Sequence, residues 1–298
     1  MDPNSVHLNF NKDSVILVNL LVGIIMFGVS LDLKKDDFLL LWRNPKSAFV
    51  GLLSQYILLP LATLLIIVLW KPHPGLAVGM ILVAACPGGN MSNFFTNLSK
   101  GNLALSVSLT TFSSSMAFIL TPIAFFFWGN ILPETSSFLK EISVDPKEMF
   151  FSITILLLLP LILGLVFQFY FPRIRDRIRN PFQIISVILL AVFILGALAG
   201  NWKNFISYIH LLFGLVFVMN FFGLALGYNF AKLFKLKVAD RRTISIETGI
   251  QNSSLGLAIV FNFFDGLGGM ALICAWWGIW HLLSGAALAY YWSRNTEP

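Results

Sequence analysis

The sequence predicts an all-α polytopic membrane protein of about nine transmembrane helices, and three observations predict it. The first is composition. Of 298 residues, 57% are hydrophobic and 11% charged, and the mean hydropathy is +0.81. A soluble domain carries about 25% charged residues, so this chain has too few to cover a water-facing surface. The second is the recurrence of apolar runs near the length of a membrane span, about 20 residues, between short charged or turn-forming separators. The third is the placement of charge. With the N-terminus outside, the inner loops hold 15 of the 20 basic residues, including Lys34, Lys35, Arg173, Arg175, Arg177, Arg179, Lys235, Arg241 and Arg242. The outer segments hold the other five, Lys12, Lys71, Lys140, Lys147 and Lys203. A wrong helix count would scramble that bias.

The segments follow in order. Residues 14–31 come after a polar start without a basic n-region and read as an uncleaved anchor rather than a signal peptide. Segment 47–70 carries Gln55, and segment 76–98 is interrupted by Cys86-Pro-Gly-Gly-Asn-Met-Ser-Asn93. Segment 102–128 carries Ser106 and Thr110, four residues apart on one helical face. Segments 149–171, 182–200 and 205–231 are predominantly apolar. Segment 242–264 is interrupted by Glu247-Thr-Gly-Ile-Gln-Asn-Ser-Ser254, and 268–292 completes the set. The separators include Asp32 to Asp37, Lys71 to Pro74, Pro133 to Glu148 and Lys232 to Arg242. No lengthy linker divides the chain, so residues 1–298 read as one membrane domain.

The two interrupted segments put helix breakers and polar side chains at mid-span. Broken backbone at membrane depth is tolerated only where protein buries it or a cavity needs it. One interruption in each half is the strongest sequence pointer to a transporter's binding site. The third segment runs inward and the eighth outward, as an inverted repeat requires.

Glu247 is the one acidic residue of 14 that falls well inside a segment. Asp240 and Asp265 sit near the ends of the same segment, and no Lys or Arg lies inside any span to pair with it. An intramembrane carboxylate is costly, so it marks a cation or proton function. The residues in reach are oxygen donors: Gln251 on the same face, Ser92 and Asn93 after the first break, Ser106, Thr110 and Gln55. A hard monovalent cation takes several oxygens and no nitrogen or sulfur, while transition metals call for His or Cys clusters. Any one hydroxyl alone reads as back-bonded to its own helix. The set together reads as a sodium site. Half-helices restarting near Asn90 and Asn252 would offer N–H groups and a positive dipole end to an anion.

The remaining features read as structure. Cys86 and Cys274 lie in apolar runs and behave as small apolar residues. The net charge of +6 and pI of about 9.4 reflect loop topology rather than a nucleic-acid partner. His210 and His281 read as satisfied interior histidines. Trp276, Trp277 and Trp280 read as packing, and the 29 Phe residues as lipid-facing surface. The sequons at Asn97 and Asn252 fall in or against spans and read as unglycosylated.

The two interruptions, with Lys100-Gly-Asn-Leu-Ala-Leu-Ser106 and Thr110, resemble the bile acid:sodium symporter family. A weaker match is Gly23-Ile-Ile-Met-Phe-Gly28. The resemblance spans nearly the whole chain and implies paired inverted repeats. A core of crossing broken helices, here about 47–128 and 205–292, would rock against a panel, about 14–31 and 149–200. It implies one sodium ion on Ser92, Asn93, Ser106, Thr110 and Glu247. It implies a second on Gln55, Glu247, Thr248, Ile250 and Gln251, with backbone carbonyls from Thr248 and Ile250. Asn90 and Asn252 would face the substrate. Bacterial members commonly have ten helices; here, as in the animal carriers, the first is missing, which removes a panel helix and no ligand.

The function this predicts is sodium-driven symport of an organic anion, a bile acid or a small carboxylate. The location is the plasma or bacterial inner membrane, with the N-terminus outside and the C-terminus cytoplasmic. A proton-coupled carrier of related fold is the rival, since Glu247 alone would serve it. An intramembrane enzyme would need a nucleophile and base at depth, and His281 with Ser284 is the nearest candidate. A receptor is disfavoured by the short loops.

Overall fold

Lipid offers the backbone no hydrogen bonds, so a spanning segment must satisfy its own N–H and C=O groups as a helix. The computed structural model describes residues 12–89, 91–142, 146–200 and 202–295, and no strand occurs among them.

The first segment is α1 (Lys12–Asp32), followed by a short helix α2 (Lys35–Arg43). The second is α3 (Pro45–Leu53), a π-helical turn (Ser54–Leu58) and α4 (Leu59–Trp70). Pro60, at the start of α4, cannot donate to the carbonyl four residues back, and the ladder widens there, with Leu59 N–H bonding Ser54. Such π turns recur at functional sites, and this one carries Gln55. The third segment divides into α5 (Pro74–Ala85) and α6 (Met91–Leu98). The fourth is α7 (Leu103–Ser115) and α8 (Ala117–Gly129), bent by 76° at Met116. Then come α9 (Pro133–Glu141), α10 (Pro146–Tyr170), α11 (Pro172–Gly200) and α12 (Trp202–Leu233). The eighth segment divides into α13 (Val238–Gly249) and α14 (Ser253–Phe263), and α15 (Gly268–Arg294) is the ninth.

Each of the nine apolar segments thus coincides with a helix or a helix pair. Among the described residues four helices are long and apolar enough to cross a membrane alone, and α7 with α8 makes a fifth as a bent pair. The apolar parts of α1, α5 and α14 are shorter, each between 10 and 17 residues. The breaks are the reason for α5 and α14. Two separators, read as irregular, contain helices α2 and α9. In α2, Asp36 and Asp37 occupy the first turn and Arg43 the last, which suits the helix dipole at both ends.

Helix α1 packs against α10 and α11. Arg175 Nε donates to the Leu31 carbonyl at 2.8 Å, Gln168 Nε2 to Leu33 at 3.2 Å, and Arg179 pairs with Asp32, which closes the end of α1. Helix α5 packs between α15 and α8, while α12 lies against α13, α4 and α15. Gly223 and Gly227 bring α12 close to α13: a Cβ on Gly227 would stand 2.8 Å from the Ile244 carbonyl oxygen. This is the small-residue spacing by which membrane helices approach closely. Outward faces present Phe151, Ile155, Leu159, Phe169 and Phe221, all exposed as lipid-facing residues would be.

Candidate functional site

The two interruptions meet. Pro87 disfavours helix at the residue before it, and α5 stops at Ala85. Helix α13 stops at Gly249, and the two loops then cross as an antiparallel pair with Gly88 opposite Gln251. Gly89 N donates to the Ile250 carbonyl at 2.8 Å, and Asn252 N donates to the Pro87 carbonyl at 2.8 Å. Each break therefore supplies hydrogen bonds that the other has lost, which lets both persist without water. Glycine is required at the crossing: a Cβ on Gly88 would lie 2.8 Å from Glu247 Oε2.

At this crossing Glu247 is 1% exposed. Its Oε1 accepts from Ser92 Oγ at 2.6 Å, Ser106 Oγ at 2.5 Å and Thr110 Oγ1 at 2.9 Å. Thr110 Oγ1 also lies 3.0 Å from Oε2. Asn93 Oδ1 completes the group, 2.9 Å from Ser106 Oγ. Three helices, α6, α7 and α13, thus converge on one carboxylate. All five residues expected from sequence for the first set are brought together. The donor set is oxygen throughout, buried except for the half-buried Asn93, with a single carboxylate, and it suits a hard monovalent cation. Among the described residues no cluster of three or more His, Cys, Asp or Glu exists for a transition metal.

The second expected set is looser. Gln55 Nε2 stands 3.5 Å from Gln251 Oε1. Gln251 Nε2 donates back to the carbonyls of Thr248 at 2.9 Å and Glu247 at 3.3 Å. The Thr248 hydroxyl bonds Ile244 O within its own helix at 2.7 Å, and the Ile250 carbonyl is taken up by the crossing. Gln55, Thr248, Ile250 and Gln251 are all buried.

Asn252 caps α14, its Oδ1 accepting from Leu255 N at 3.2 Å. It is half-buried and stands with Ser254 and Leu255 beside the α1 residues Val22, Ile25 and Met26. Asn90 and the His210 side chain lie outside the described residues. His281 is buried, but its Nδ1 has no hydrogen-bond partner, and the Ser284 hydroxyl bonds the His281 carbonyl rather than its ring. Trp277 is fully buried, and Trp276 stacks on Trp280 beside Phe213. Both cysteines are free and buried.

Sequence reasoning missed three contributors. Ser113 Oγ accepts from Gly88 N at 3.3 Å. Asn220 Nδ2 donates to the Gly249 carbonyl at 2.8 Å. Arg242, counted among the inner-loop bases, is 4% exposed in α13 and donates to the carbonyls of Ser99 and Asn295 at 2.9 Å each. The Gly223-Gly227 spacing was the available signal for a tight α12–α13 contact. Ser113 continues the face of Ser106 and Thr110 at i+7, and no sequence pattern marked Arg242.

The model of the sodium bile acid symporter family matches residues 19–208. The chain belongs to that family. It is 36% identical over 281 residues to an uncharacterized sodium-dependent transporter of Bacillus subtilis, covering 94% of this chain and 84% of that one. It is 32% identical to a probable chloroplastic sodium/metabolite cotransporter of Oryza sativa subsp. japonica, covering 93% of this chain and 64% of the relative. It is 33% identical to the hepatic sodium/bile acid cotransporter of Rattus norvegicus, covering 81% and 66%. As a member of this sodium-dependent family the protein is a membrane transporter, not an enzyme.

Proposed function

We propose that the protein is a sodium-coupled symporter of an organic anion, a bile acid or a small carboxylate, working by alternating access. The observation that carries this reading is the buried Glu247 carboxylate, held by hydroxyls of two other helices where the two broken segments cross. One sodium ion binds Ser92, Asn93, Ser106, Thr110 and Glu247. A second binds Gln55, Glu247, Gln251 and the carbonyls of Thr248 and Ile250. Two cations against one glutamate leave the site with one positive charge, which an anion neutralises. That anion binds between Asn252 and Asn90 of the other break, where the N-terminus of α14 favours negative charge. Helices α1, α10 and α11 form the panel, and the helices carrying the breaks form the core that moves against it. The protein sits in the plasma or inner membrane with its N-terminus outside and its C-terminus cytoplasmic.

Sodium binds folded protein and so raises stability by mass action, by about 2.7 kcal/mol at a hundredfold excess over Kd. Thermal unfolding of the purified protein in sodium, potassium and choline chloride at equal concentration tests the reading without knowledge of the substrate. A rise specific to sodium that vanishes in Glu247→Ala is expected. Equal stability in all three salts, with folded protein, sinks sodium coupling and puts proton coupling in its place.

A further inference from the structure

We infer that Asn220, on α12, is a positioning residue for the second ion set, holding the last carbonyls of α13 in the orientation that sodium needs. The inference rests on the sodium reading above.

A helix leaves its last four carbonyls without partners inside the helix, and at a buried break each needs one from elsewhere. Four neighbouring carbonyls are met here. Ile246 O accepts from Ile250 N at 2.9 Å, Thr248 O from Gln251 Nε2 at 2.9 Å, and Ile250 O from Gly89 N at 2.8 Å. The fourth is Gly249 O, and its donor is Asn220 Nδ2 at 2.8 Å. Gly249 stands between the two residues whose carbonyls belong to the ion set. It has to be glycine, since a Cβ there would fall 2.4 Å from Leu224 Cδ2. Glycine gives the backbone its widest freedom, at the point where the peptide planes must be fixed. The Asn220 amide removes that freedom.

Helix pairing alone does not explain the residue. Helices α12 and α13 are already joined by glycine packing and by the Ser245 hydroxyl on the Leu224 carbonyl at 2.6 Å. Asn220 is 1% exposed, and its Oδ1 has no hydrogen-bond partner. A buried acceptor left unmet carries a cost, so what the side chain contributes is its donor, the bond to the Gly249 carbonyl.

The test is the sodium concentration that gives half the thermal stabilisation of the purified full-length protein, with total salt held constant by potassium chloride. Asn220→Leu is expected to raise it about tenfold, a loss of about 1.4 kcal/mol in sodium binding. Asn220→Ser should move it the same way, because its hydroxyl cannot reach Gly249 and returns to Val216 O on its own helix. This variant carries the test if the leucine variant does not fold. Ser245→Ala is the control for pairing: it lowers Tm in potassium and leaves the sodium midpoint unchanged. Wild-type midpoints in both Asn220 variants, or an equal midpoint shift in Ser245→Ala, overturn the inference while sodium coupling stands. A wild type indifferent to sodium overturns both.

Discussion

The two oxygen sets share Glu247 and the end of α13, yet they are built differently. In the first, every oxygen is a side-chain atom fixed on a helix, and three hydroxyls stand 2.5 to 2.9 Å from one carboxylate oxygen. In the second, the side chains Gln55 and Gln251 stand 3.5 Å apart, and the rest is backbone. The Ile250 carbonyl is held by Gly89 across the crossing and the Thr248 carbonyl by Gln251, while Asn220 from α12 holds the Gly249 carbonyl between them. A side-chain set can be written in residue types. A backbone set is written in tertiary contacts. The first should therefore tolerate distant changes and fail locally, and the second should fail from a distance.

The largest effect is expected where the sets join. Glu247→Gln keeps the shape and removes the charge from both. Sodium stabilisation should weaken by at least about a hundredfold, about 2.7 kcal/mol. Stability in potassium chloride should stay at the wild-type level or rise, because burying a charge is itself costly. A Glu247→Gln protein with the wild-type sodium midpoint would show that neither set depends on the carboxylate.

Next come changes that separate the sets. Thr110→Val removes one hydroxyl of the first and should shift the sodium midpoint about tenfold, as expected for a hydrogen-bonding or ligand contact of about 1.5 kcal/mol to a charged group. Gln55→Leu with Gln251→Leu removes the side chains of the second. If two ions bind with coupling between them, the sodium response is sigmoidal. The double variant should turn it hyperbolic and keep a sodium response. A response that stays sigmoidal in that variant would show that the second set holds no ion.

The same division explains what could be read before any coordinates. The apolar segments, the two breaks and the oxygen donors around Glu247 were legible, because hydropathy and residue type carry them, while the division of those donors into two sets came from the family resemblance. Helices α2 and α9 were not, because short amphipathic helices between spans resemble polar loops by composition. Arg242 was placed in a loop by its charge, yet its guanidinium is buried under Trp292, 5.8 Å from the ring centroid, and its two terminal nitrogens donate to carbonyls at the end of α15 and in the turn after α6. Asn220 was invisible for the same reason: its partner is a backbone oxygen 29 residues away. Sequence shows which atoms a residue brings and hides which backbone it will meet.

The glycines give a graded series that ends in the smallest effect, and they sharpen the comparison because the added methyl is the same each time. In Gly88→Ala the new Cβ would stand 2.8 Å from Glu247 Oε2, the carboxylate oxygen that lies 3.0 Å from Thr110 Oγ1. In Gly89→Ala the nearest atom is the Gln251 carbonyl oxygen at 3.2 Å, on the backbone of the second break. In Gly196→Ala, on α11, nothing lies within 4 Å. Overpacking costs about 1–3 kcal/mol, so Gly88→Ala should lower both Tm and sodium affinity. Gly89→Ala should do so more weakly, since a shift of a few tenths of an ångström relieves it. Gly196→Ala should be neutral or stabilising by up to about 1 kcal/mol, the helix preference for alanine over glycine. The three variants, ranked by sodium midpoint and by Tm in potassium, place strain at the carboxylate against strain at the crossing. If Gly89→Ala proved the more damaging of the first two, the backbone crossing rather than the carboxylate cage would be the stiffer part of the site.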